Sequence, residues 1–114
     1  MKPARRADFM WDIIGQNPNA MVPWYLMTSL MYYQHDISLL PDEDYDRLCK
    51  KLLSEWASIE HRHKHLLDVE DLRAGTGYAI KDYPGITVSA ATRLAIEDGH
   101  VKWNAKKRVL VKRA

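Results

Sequence analysis

After Pro41 the apolar residues fall at Tyr45, Leu48, Cys49, Leu52, Leu53, Trp56 and Ile59. Steps of three and one are the period of an α-helix with one buried face, so residues 42–60 read as a long amphipathic helix. Asp42, Glu43 and Asp44 crowd its first turn, where carboxylates complement the unpaired N–H groups and the positive end of the dipole. Glu43 with Arg47, and Asp46 with Lys50, stand four apart with the acid leading, an order worth about 0.2–0.5 kcal/mol per pair. Upstream, Pro23 to about Gln34 is apolar nearly all round, with Trp24, Leu26, Met27, Leu30 and Met31, and Pro23 suits a first helical turn. This segment reads as the central, most buried helix, its methionines filling irregular core gaps. The short connection between the two makes them an antiparallel pair over residues 22–66, with Trp24, Met27, Leu48, Leu52 and Trp56 in one core. The fold class that follows is mainly α.

The 114 residues suit one domain with one core. Residues 1–6 read as a basic flexible tail and Ala7 to Gln16 as a short helix, stopped by Gly15 and Asn17-Pro18-Asn19. Residues 67–114 read as a helical and hairpin extension with a basic end. Within it a short helix runs from Asp68, its cap, to Ala74, with Gly75 as its stop. Gly75-Thr76-Gly77-Tyr78 is a turn that lacks the strand-loop-helix context and the lysine of a phosphate loop. Pro84-Gly85 marks another turn, and Ser89 caps a helix through about Glu97, closed by Gly99. Alternation at Val101 and Trp103, and again at Val109 and Val111, favours a small terminal β-hairpin over a terminal helix.

No apolar run approaches the roughly 20 residues of a membrane span. The start also lacks a signal peptide's apolar stretch, so a cytoplasmic protein without membrane partners is expected. A single cysteine, Cys49, excludes an internal disulfide, and its place on the apolar stripe reads as a buried, inert thiol. The net charge of +2 is unevenly spread: Lys2, Arg5, Arg6, Lys102, Lys106, Lys107, Arg108, Lys112 and Arg113 give the ends +9 and leave the middle −7. Basic ends of this kind suit a phosphate backbone or an acidic partner surface, and equally serve as solvated tails. His61, His63 and His65 have a spacing that can face a metal ion. No cysteine or carboxylate cluster completes a ligand set, though, and Arg62 and Lys64 would repel the cation, so no metal is expected and the run reads as a polar helix end.

Tyr32-Tyr33, Asp36 three residues on, and Asp42-Glu43-Asp44-Tyr45-Asp46-Arg47-Leu48 resemble the YYxxD…DxxYDxL signature of the small helical Ia domain of NAD-dependent DNA ligases. The likeness spans about a third of the chain without a gap. Tyr33 stands where the family has Tyr or His, and Ser38 replaces a proline common in the connection. In that family the domain grips the nicotinamide mononucleotide half of NAD. The resemblance therefore implies cofactor contacts for Tyr32, Tyr33, Asp42, Tyr45 and Asp46. Aromatic faces attract a cationic nicotinamide ring, and carboxylates accept bonds from ribose hydroxyls. A purely structural reading of the same residues stands beside it: Tyr45 as core, Asp42 as a cap, Asp46 as half of a surface pair.

The adenylating lysine of such ligases lies in a KxDG motif. The Asp-Gly of this chain is Asp98-Gly99, with Ile96 where the lysine would stand, so ligase catalysis by this chain alone is not expected. No nucleophile-base arrangement is evident either. Two functions are consistent with these residues. The first is a free-standing Ia-like module that binds nicotinamide mononucleotide or NAD, or assists a ligase. The second is a non-enzymatic accessory protein, of the kind that resembles small phage-encoded proteins, which binds DNA or a host protein through Lys102, Lys106, Lys107, Arg108, Lys112, Arg113 and exposed aromatics.

Overall fold

The computed structural model of the chain describes residues 1–104 and 109–112. Among them are helices α1 (Pro3–Gln16), α2 (Met21–His35), α3 (Asp42–Ser54), α4 (Val69–Ala74) and α5 (Gly85–Glu97). Strands β1 (Val101–Asn104) and β2 (Val109–Lys112) follow and pair antiparallel, with Val101 opposite Lys112 and Asn104 opposite Val109. The fold is mainly helical, as expected.

Helix α2 is the centre. Every residue from Met21 to Met31 except Pro23 is buried, which is what a segment without a polar face requires. It stops at Asp36, whose left-handed φ of 54° an aspartate tolerates better than most residues, and whose N–H caps the Met31 carbonyl. Five residues later Pro41 opens α3, its carbonyl accepting from the Asp44 and Tyr45 N–H groups. The chain leaving α3 returns to the start of α2, where the Glu60 N–H donates to Asn19 Oδ1 at 2.9 Å. The two helices are thus antiparallel. Leu48, Cys49 and Leu52 face α2 from the expected stripe, and one apolar cluster takes in Trp24, Met27, Leu48 and Leu52 with side chains of α1, α4 and α5; Trp56 packs half-buried against it.

Four expectations need correction. Residues 1–6 are not a tail: Pro3 opens α1, where a proline needs no N–H partner, and Arg6 is buried in a two-pronged ion pair with Asp98 at 2.5 and 3.0 Å. The long helix ends at Ser54 and not at Glu60, giving way to a 3₁₀ turn at Trp56–Ser58. Ser54 and Ser58 donate to the Lys51 and Glu55 carbonyls there, the local competition with helical bonding that serine offers. Helix α5 begins at Gly85, four residues before Ser89, because the Pro84 carbonyl accepts the first helical bond, from Val88. The histidine run is not a helix end: it lies at turns around a 3₁₀ segment, Lys64–Leu66.

The surface pairs of α3 are also partly redrawn. Asp46 and Lys50 meet at 2.8 Å as expected. Arg47 turns instead to Asp44 at 3.7 Å and lies over the Trp11 ring at 4.6 Å, while Trp11 Nε1 donates to Asp44 Oδ1 at 3.0 Å. These contacts fasten α1 to the first turn of α3. Helix α4 is as expected, with Asp68 accepting from the Glu70 N–H at 2.8 Å and Gly75 closing it at φ 72°.

Candidate functional site

The C-terminal end of α2, the connection to α3, the first turns of α3 and the end of α4 surround a pocket of about 160 Å³. Tyr32, Tyr33, Asp42, Tyr45 and Asp46 all line it. The last turn of α2 delivers the two tyrosines to the mouth of α3, and a spacing of three and four places Asp42, Tyr45 and Asp46 on one side of that helix. Thr28, Ser38, Leu39, Leu40 and Gly75 complete the lining. Of these five, Gly75 carried a legible signal only as a helix stop. Its pocket position depends on α4 docking against α3, so that a Cβ placed on it would stand 3.2 Å from Asp46 Oδ1.

The tyrosines differ in what they offer. Tyr32 is 45 % exposed and meets Tyr33 edge-on, with ring centroids 4.9 Å apart. The Tyr33 hydroxyl accepts from Thr76 Oγ1 at 2.9 Å, which ties the pocket wall to the loop after α4. Tyr45 is half-buried, its hydroxyl paired with the buried Ser29 hydroxyl at 2.7 Å and its ring stacked near Tyr25 at 6.0 Å. Burial pushes the Tyr45 phenol far above its ordinary value, against the opposing pull of the Ser29 bond, so it stays protonated and supplies a ring face. Asp42 and Asp46 are exposed carboxylates at the rim. Asp46 is held by Lys50, an exposed pair of the kind worth about 0–1 kcal/mol, which a ligand hydroxyl can displace.

Elsewhere the described residues hold less chemistry. Cys49 is buried on α3, and burial pushes its thiol up to about 12, which leaves no thiolate at neutral pH. His61 and His63 face each other with rings 5.4 Å apart, and the His65 ring turns to the Arg62 carbonyl. Among the described residues no group of three or more His, Cys, Asp or Glu side chains is arranged to hold a metal ion. No helix among them is long and apolar enough to cross a membrane. Of the basic ends, Lys102 is exposed on β1 and Lys112 stands on β2. Lys106, Lys107, Arg108 and Arg113 lie outside the described residues. Compared with known proteins, the chain matches no family model, no curated protein and no solved structure.

Proposed function

We propose that this protein is a ligase-Ia-like module that binds the nicotinamide mononucleotide half of NAD in the tyrosine-aspartate pocket. It acts without catalysis of its own and serves a ligase partner that carries the adenylating lysine. The observation that supports this reading is the gathering of Tyr32, Tyr33, Asp42, Tyr45 and Asp46, drawn from two helices, around one opening. A surface cap and a surface ion pair would have no need of an aromatic wall beside them. The chemistry is matched to the ligand: the faces of Tyr32, Tyr33 and Tyr45 attract the cationic pyridinium ring, and Asp42 and Asp46 accept from ribose hydroxyls. The rival reading, attachment to DNA or a host protein, rests on Lys102 and Lys112 and on cations outside the described residues, with no gathered site among the described ones to support it.

Thermal or urea melting with added nicotinamide mononucleotide or NAD tests the proposal. A ligand at 100 times its dissociation constant should add about 2.7 kcal/mol of stability. Asp46→Asn should reduce that response while leaving the unliganded protein nearly as stable, since its present partner is a solvated lysine. An undiminished response in Asp46→Asn removes Asp46 from the site. No response of the natural sequence to either ligand removes the proposal itself.

A further inference from the structure

Beside the pocket stands a ring with no structural task that accounts for it. Tyr78 is 67 % exposed, yet it is firmly held. Its N–H donates to Thr76 Oγ1 at 3.1 Å, the same hydroxyl that donates to the Tyr33 hydroxyl, and its ring stands edge-on to Tyr33 with centroids 5.9 Å apart. Lys81 then places its ammonium 4.7 Å from the centre of the Tyr78 ring. An aromatic and a cation are thus carried outward from a pocket wall by the loop after α4, a segment outside the stretch that resembles ligase Ia.

The charge balance of the pocket gives this pair a role. Asp42 and Asp46 suit a pyridinium cation and a ribose, but they repel a phosphate monoester, which carries close to two negative charges at neutral pH. A nucleotide therefore needs a cation just outside the carboxylates. On α3, Lys50 already holds Asp46 at 2.8 Å. Lys81 has no carboxylate partner among the described residues, and beyond the Tyr78 ring its contact is with the Tyr78 carbonyl, at 3.5 Å. Tyr78 stands against Tyr33, a lining residue, and the Lys81 ammonium lies on the Tyr78 ring, so the cation is two ring contacts from the pocket wall.

We propose that Tyr78 and Lys81 form a second subsite that takes the phosphate of the nicotinamide nucleotide and makes the pocket select nucleotide over nucleoside. This inference rests on the pocket being a nicotinamide site. The test is calorimetric binding of nicotinamide riboside and nicotinamide mononucleotide to the full chain and to Lys81→Met, Lys81→Arg, Tyr78→Ala and Tyr78→Phe. The natural protein should bind the mononucleotide more tightly than the riboside. Lys81→Met should weaken the mononucleotide by about tenfold or more, the scale of one charge-assisted hydrogen bond, and leave the riboside unchanged. The carboxylates then act unopposed, and the riboside becomes the better ligand. Lys81→Arg should keep the preference, Tyr78→Phe should keep it through the ring, and Tyr78→Ala should lose it. Equal affinities for the two ligands in the natural protein, or an equal loss of both in Lys81→Met, would overturn the subsite while leaving the pocket assignment intact. Binding of neither ligand by the natural protein would overturn both.

Discussion

The side chains of Asp98 and Arg6 keep 0 % and 4 % of their exposure, and their ion pair joins residues from opposite ends of the chain. Removing Asp98 leaves the buried guanidinium with Glu97 alone, whose exposed carboxylate stands 3.4 Å away. Asp98→Ala should therefore cost about 3–5 kcal/mol in urea melting, and a loss below about 1 kcal/mol would mark the pair as solvated. Nothing in the spacing of residues 1–6 distinguishes Arg6 from Arg5, since the partner of Arg6 is ninety-two positions away. His61 gives a pH-dependent outcome. Burial, with repulsion from His63 and Arg62, lowers its pKa below the ordinary 6.5. The unfolded chain then binds the proton first as pH falls, so this residue's contribution is full above 6.5 and is lost as pH drops below it. Urea midpoints measured at about pH 7.5 and 5.5 should converge in His61→Gln, and an unchanged gap would assign the loss to other groups.

At the scale of elements, the decisive contact is that of the loop after α4 with the middle of α2. Gly77 is buried against α2, and a Cβ there would collide with Ser29 Oγ and stand 2.7 Å from Ser29 Cβ and 3.0 Å from the Tyr45 hydroxyl. The need for glycine is steric closeness, which no turn pattern announces. Tyr25 seals the same junction by donating to the Thr76 carbonyl at 2.6 Å. Gly77→Ala should destabilise the fold by about 1–3 kcal/mol through overpacking. It should also weaken the response to nicotinamide mononucleotide, because the Tyr45 hydroxyl, whose ring lines the pocket, must shift with its partner Ser29. A variant with natural stability in denaturant would refute the close approach. Within elements, by contrast, the sequence reads clearly. The apolar stripe of α3, the all-round burial of α2, the Asp68 cap and the Gly75 stop follow from periodicity and backbone preference alone.

For the whole molecule, the acidic middle and basic ends separate the two functions experimentally. Neutralising the pocket in a double variant, Asp42→Asn with Asp46→Asn, should weaken nicotinamide mononucleotide binding, since ribose acceptors are lost. If the protein instead acts on DNA through its ends, the same change removes repulsion and leaves duplex affinity equal or tighter, with a salt slope near −0.9 per phosphate contact. Calorimetry for the ligand and fluorescence anisotropy for DNA distinguish the outcomes, and unchanged ligand affinity would count against the pocket. The helices, their antiparallel pairing and the convergence of Tyr32, Tyr33, Asp42, Tyr45 and Asp46 were determined by the sequence itself. All of these depend on side chains within a few turns of one another, where a helical period and a short connection leave little freedom. The burial of Arg6, the pocket wall at Gly75, the tie from Thr76 to Tyr33 and the placement of Tyr78 and Lys81 were decided only by tertiary structure. Each joins segments far apart in the chain, and such partners are chosen by which faces remain to be covered once the central pair has formed.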